Sequence, residues 1–169
     1  YSINVDYEKP YNVYGGLQDN GVWMGSSTSK ESLRWHQTGH NNWTSIMGGD
    51  GMQVQIDRRD SNIIYTGSQF GVYYRINNNN GKRHYIKPKH DLGESPLRFN
   101  WQTPILLSPH NQDIFYLGSN KLHVSLNKGD DWSFNSIDLT KGVKLGNVPY
   151  GTLSTIDESI FKFGKLAVG

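Results

Sequence analysis

Two carboxylates and one tryptophan carry the plainest chemistry in this sequence. Asp19 lies in Gln18-Asp19-Asn20-Gly21, Asp50 in Gly48-Gly49-Asp50-Gly51, and Trp101 ends the run Arg98-Phe99-Asn100-Trp101. Glycoside hydrolysis needs two carboxyl groups flanking the scissile bond, so Asp19 and Asp50 are candidate acid or base residues. A tryptophan can serve as an aromatic platform for a sugar or a peptide. Each residue also has a structural reading. Asn-Gly accepts positive φ, so Asp19 fits a tight turn equally well. Asp50, between glycines, can close its loop by bonding nearby backbone. Trp101 can pack between structural units, and Trp132 reads as packing.

Other chemistry is weak. A sialic-acid site would need three arginines and a tyrosine nucleophile, and Arg98 alone sits near these candidates. His36 and His40 are four apart, but in a Gly/Asn-rich stretch that does not read as a helix, so they do not form a metal pair. Asn77-Asn78-Asn79-Asn80-Gly81 fails as a calcium loop because the first ligand position falls on Ile76. There is no Gly-x-Ser-x-Gly elbow and no phosphate-cradling glycine loop, so no cofactor or metal is expected. Asn42-Trp43-Thr44 is a formal glycosylation sequon.

The elements that must position these residues are set by a repeat. Gly16, Gly67, Gly118 and Gly169 recur every 51 residues, each preceded by a similar apolar run such as Ile64-Tyr65 or Phe115-Tyr116. A fixed period of this size means stacked units that bury their apolar faces against one another. Within the second unit, Met52–Asp57, Ile63–Ser68 and Val72–Ile76 read as strands, and His84–Lys87 begins a fourth. Thr103–Leu107, Ile114–Gly118 and Leu122–Leu126 repeat the plan, and Tyr11–Gly15 with Val22–Met24 belong to the earlier unit. A four-stranded meander of this length is one propeller blade. The expected fold is all-β, an arc of about three blades over 1–48, 49–99 and 100–150, with a further blade starting at 151–169 and broken blades at both ends.

Composition agrees. The 169 residues include one alanine, 19 glycines and 12% aromatics, which disfavours long helices and suits strands. A net charge of +2 without a dense basic run argues against nucleic-acid binding. The absence of cysteine excludes disulfides and thiolate metal sites. No stretch is long and apolar enough to span a membrane. The chain begins without Met and ends inside an expected strand, so it reads as a piece of a longer protein. Three blades cannot close a ring, so the remaining blades of the parent chain or a partner protein are expected to cover its ends.

Ser125-Leu126-Asn127-Lys128-Gly129-Asp130-Asp131-Trp132 resembles the Asp-box, the bacterial neuraminidase repeat Ser-x-Asp-x-Gly-x-Thr-Trp, with Asn127 and Asp131 departing from it. Degenerate versions fall around Ser32–Trp35 and Asn77–Gly81. The wider chain is similar to large secreted bacterial Asp-box proteins, often described as sortilin-like or glycosyl-hydrolase-like. The segments that carry this likeness include Tyr14 to Gly21, Gly48 to Gly51, and Arg98 to Pro104. The resemblance implies a structural Asp-box (Ser125, Asn127, Gly129, Trp132) and an extracellular, cell-surface or periplasmic setting. It does not imply one activity, since such propellers include hydrolases, sorting receptors and assembly factors.

Strand order then sorts the loops. The loop before each innermost strand and the loop between second and third strands leave on one face, and the Asp-box turn on the other. Asp19, Asp50, Gln69, Arg98, Asn100, Trp101 and Asn120 therefore share a candidate ligand face. Asp57, Asp60 and Asp113 fall in turns at the opposite end and are expected to be solvated. The function expected is recognition of a glycan or polypeptide on the loop face, the alternative being part of a polysaccharide hydrolase and a third possibility an assembly scaffold.

Overall fold

The computed structural model describes residues 2–39, 41–142 and 150–169. It is all-β, with three four-stranded antiparallel sheets and one two-stranded sheet. The first sheet holds β1 (Ser2–Val5), β2 (Asn12–Leu17), β3 (Gly21–Ser26) and β4 (Thr44–Met47). A helix, α1 (Leu33–Thr38), lies between β3 and β4. The second sheet holds β5 (Gln55–Ile56), β6 (Ile63–Ser68), β7 (Val72–Asn77) and β8 (Arg83–Tyr85). The third holds β9 (Ile105–Leu107), β10 (Phe115–Gly118), β11 (Leu122–Ser125) and β12 (Phe134–Asn135). β13 (Ile156–Glu158) and β14 (Leu166–Val168) make the last. Every sheet is a meander in chain order. The first strands β1, β5, β9 and β13 lie side by side, so the sheets form an arc of propeller-like blades with β1, β5, β9 and β13 innermost.

Alternation along each strand divides its side chains between two neighbours. Ile64 and Ile76 pack towards the first blade, with Tyr14, Val22 and Ile46. Tyr65 and Tyr73 pack the other way, with Phe115, Leu117 and Ile105 of the third blade. Tyr116 and Leu122 continue the pattern towards Leu153 and Ile156. The core therefore lies between sheets, and each fully buried aliphatic side chain contributes roughly 1.5–3 kcal/mol.

Two of the recurring glycines, Gly16 and Gly118, mark where the segment leading into the next blade comes close, while Gly67 is crowded by Val72 and Tyr73 of its own sheet. A Cβ on Gly16 would lie 2.1 Å from the Met52 carbonyl oxygen, and one on Gly118 would lie 2.8 Å from Pro104 and 3.0 Å from Leu153. Only glycine lets strand two approach these segments so closely.

Several expectations are corrected. The first blade is a complete four-stranded sheet, because Ser2–Val5 supplies the innermost strand that the sequence reading overlooked. The signal was available, since Ile3 and Val5 stand 51 positions before Val54 and Ile56. The ladder expected over Met52–Asp57 shrinks to Gln55–Ile56, flanked by bonds from Met52 N to Gly67 O and from Thr66 Oγ1 to Gln53 O. Ser32–Trp35 is a helix start, with Ser32 as N-cap accepting from Trp35 N. His36 therefore does sit on a helix, where it bonds Glu31, while His40 lies outside the described residues. Asp57 is not solvated but 2% exposed. It receives Arg59 through both oxygens, from Nε at 3.0 Å and from the terminal nitrogen at 2.8 Å. Burial pushes the Asp57 carboxyl up, but the Arg59 donors outweigh it and hold the group below its ordinary value.

Candidate functional site

The loop face is built from three equivalent junctions. At each, the turn between second and third strands of one blade rests on the loop that leads into the next blade. At the first junction Asp19 N donates to Asp50 Oδ1 at 2.8 Å, a pairing 31 positions apart. At the second Phe70 N donates to the Trp101 carbonyl at 3.2 Å. At the third Leu153 N donates to Ser119 O at 2.7 Å. Asp19 and Phe70 occupy the same place in their turns, and both are left-handed, with φ of 62° and 57°. The Asp50 carboxylate thus does at the first junction what a backbone carbonyl does at the second.

The sequence candidates fall into three groups. Asp19 and Asp50 are brought together, Asp19 exposed and Asp50 half-buried. Trp101 is 38% exposed and meets Phe70 edge-on, with ring centroids 5.2 Å apart and planes at 87°. Gln69 is half-buried in the same turn as Phe70. Lys87 braces this turn, donating to Phe70 O at 2.7 Å and lying 4.3 Å over the Phe99 ring. Its desolvation lowers the amine below the usual lysine value. Trp101 therefore presents a ring held by Phe70 through both a ring contact and a backbone bond.

Arg98, Asn100 and Asn120 form the third group, and their polar atoms are engaged in the protein. Arg98 donates to Asp138 Oδ2 at 2.6 Å, to Gly151 O at 3.1 Å and to Thr140 Oγ1 at 3.1 Å. Asn120 is buried, accepts from Arg98 N at 3.0 Å and donates to Asp138 at 3.1 Å. Asn100 bridges to Thr152 Oγ1 at 3.1 Å. Asp138 is the residue that the sequence reading missed. Desolvation works to raise its carboxyl, but donors from Thr140, Arg98 and Asn120 hold it well below the usual carboxylate range. It lies 40 positions from Arg98, and its only local mark is the turn it forms with Thr140. A guanidinium committed in this way ties two blades together and is not poised for a ligand's carboxylate.

On the opposite face, Ser125–Trp132 forms a closed turn. Ser125 Oγ accepts from Gly129 N at 2.8 Å, and Asn127 Oδ1 accepts from Asp131 N at 2.9 Å. Lys128 and Gly129 are left-handed, at φ 65° and 87°. Trp132 packs against Phe115 and His123. Among the described residues, no three His, Cys, Asp or Glu side chains are grouped to hold a metal ion, and no helix is long and apolar enough to cross a membrane. The sequence matches no protein-family model and no curated protein.

Proposed function

We propose that this chain is part of an Asp-box β-propeller of an extracellular, cell-surface or periplasmic protein, and that it binds a glycan or polypeptide on the face carrying Asp19, Asp50 and Trp101. The observation that carries the reading is Trp101, a large ring left 38% exposed while its orientation is set by Phe70. A pre-positioned aromatic loses little freedom on binding, which favours contact with a sugar or a peptide. The hydrogen-bonded turn over Ser125–Trp132 supports the Asp-box assignment. Binding is preferred to hydrolysis because Asp50 already accepts from Asp19 N, a bond that explains its place without chemistry.

Exposure at equivalent positions supports an arc continued by further blades, from the parent chain or a partner. Val54, Ile105 and Ile156 are 1%, 3% and 9% exposed, while Ile3, at the same position of the first blade, is 78% exposed. Beside it Trp23 of β3, Trp35 of α1 and Trp43 line an open groove.

The test is capture on glycan and peptide arrays by the full chain, followed by titration of whatever binds. Trp101→Ala is expected to weaken binding by about tenfold or more, the scale of losing one aromatic contact. Unchanged affinity would remove Trp101 from the site. The hydrolase reading is favoured by one observation, that Asp19 and Asp50 sit on touching loops. It predicts reducing-sugar release that Asp50→Asn abolishes while binding persists.

A further inference from the structure

At the opposite end of the innermost strands, the concave edge of the arc encloses a pocket of about 170 Å³. Its wall is made of side chains one repeat apart. Asn4, Gln55, Leu106 and Asp157 share one position of the first strand, and Tyr7, Arg58, Pro109 and Ile160 share another in the turn beyond it. Stacking like units places one backbone position four times around a common axis. The adjacent position shows what packing alone demands, since Ile3, Val54, Ile105 and Ile156 are all β-branched and aliphatic. On the pocket side the chemistry changes from unit to unit, to amide, amide, leucine and carboxylate.

Hydrogen bonding separates structural polar groups from spare ones. Asn4 donates to Val54 O and accepts from Val5 N, both at 2.9 Å. Gln112 donates to Ser108 O at 2.7 Å and accepts from Arg58 N at 3.0 Å. Those two amides are used up in holding the blades. Asp157 accepts from Glu158 N through Oδ1 alone, at 2.9 Å. Its Oδ2, the Gln55 amide and the Arg58 guanidinium make no hydrogen bond to protein among the described residues. Arg58 is instead held 5.3 Å over the Tyr7 ring.

We infer that this pocket binds one neutral pyranose ring, as a free monosaccharide or the terminal residue of a glycan. Arg58 stands against two carboxylates, Asp157 and the buried Glu158, whose Oε1 is taken by the Tyr116 hydroxyl and Gly164 N, and this excess of one negative charge turns phosphate away. Amide, carboxylate and guanidinium together supply donors and acceptors, the mixture that hydroxyl groups need. Leu106, Pro109 and Ile160 offer an apolar wall for the C–H face of the ring. The volume of about 170 Å³ is the size of a single ring. The site lies across the blades from Trp101, so it stands or falls apart from the loop-face proposal.

The experiment is saturation-transfer NMR and calorimetry on the full chain with glucose, galactose, mannose and N-acetylglucosamine, their methyl glycosides and short oligomers. At least one sugar is expected to bind. Asp157→Asn and Gln55→Leu should each weaken it by about tenfold or more, as a lost hydrogen bond to a charged or buried group does. Trp101→Ala should leave it unchanged. Tighter binding of an oligomer than of its monosaccharide identifies a glycan end as the source, and equal binding identifies the free sugar. If either variant fails to fold, Arg58→Met on the exposed rim is expected to give the same loss. No transfer to any sugar, wild-type affinity in the variants, or tighter binding of putrescine or of a zwitterionic amino acid than of every sugar would overturn the assignment.

Discussion

Gly15 and Gly16 are neighbours on β2, yet adding a methyl group to each should have opposite effects. A Cβ on Gly16 would lie 2.1 Å from Met52 O and 2.7 Å from Gly51 C, both backbone atoms of the segment leading into the second blade. Carbon contacts are comfortable only near 3.5 Å, so one strand or the other must retreat by roughly 1 Å. Neither obstacle can rotate away as a side-chain tip would. Overpacking of this kind costs about 3 kcal/mol or more. In a protein of this size that lowers the melting temperature by roughly 6–12 °C. A Cβ on Gly15 would meet nothing nearer than Ser2 O at 3.8 Å, an ordinary contact. Its backbone is not left-handed, so alanine there restricts mainly the unfolded chain and should stabilise by about 0.4–1 kcal/mol. Urea unfolding of Gly15→Ala and Gly16→Ala reads both effects as midpoint shifts at constant slope. Equal midpoints for the two variants would refute the idea that Gly16 lets the second blade's entry segment approach the first blade.

Three tyrosines 51 residues apart, Tyr14, Tyr65 and Tyr116, should respond differently to loss of the hydroxyl. Tyr14 donates to Asp6 at 3.0 Å and Tyr116 to Glu158 at 3.1 Å, so each Phe variant should lose about 1–3 kcal/mol. The buried Tyr65 hydroxyl has no partner among the described residues, so Tyr65→Phe should be neutral or stabilising by denaturant titration. Asp57 links stability to pH. Its carboxyl is held low in the folded state, so its contribution is complete above the unfolded value of about 4 and fades as pH falls through the lower folded value. Asp57→Asn should therefore be destabilised at neutral pH and show a shallower loss of stability in acid. Identical pH profiles for variant and wild type would exclude Asp57 as the linked group.

The loop-face candidates show how far local sequence reaches. Asp19 and Phe70 stand at matched turn positions, and the strand pattern alone put their loops on one face. That the Asp50 carboxylate accepts the Asp19 N–H could not be read in the same way. It depends on one loop descending onto another from the next sheet. Arg98 is the sharper case. The strand pattern places it on the candidate ligand face, and its tie to Asp138 makes it a clamp between blades.

The repeat, most strands and most turns are legible in the amino-acid sequence, with β1, α1 and the bounds of β5 as exceptions. These follow from two-residue alternation, glycine and asparagine at tight turns, and one motif repeated every 51 residues, all encoded within a few positions. Which polar groups are already spent follows only from the way the blades stack. Asp57 is buried under Arg59, Asn120 is locked to Asp138, and Gln112 is bonded at both ends of its amide. The Asp57–Arg59 pair is local, but Arg59 also reaches Asp113 and Arg58 N reaches Gln112 across the junction with the next blade, and Asn120 meets Asp138 from 18 positions away. Blade stacking sets the distances across that junction, and stacking follows from the summed shape of the buried faces rather than from any local pattern.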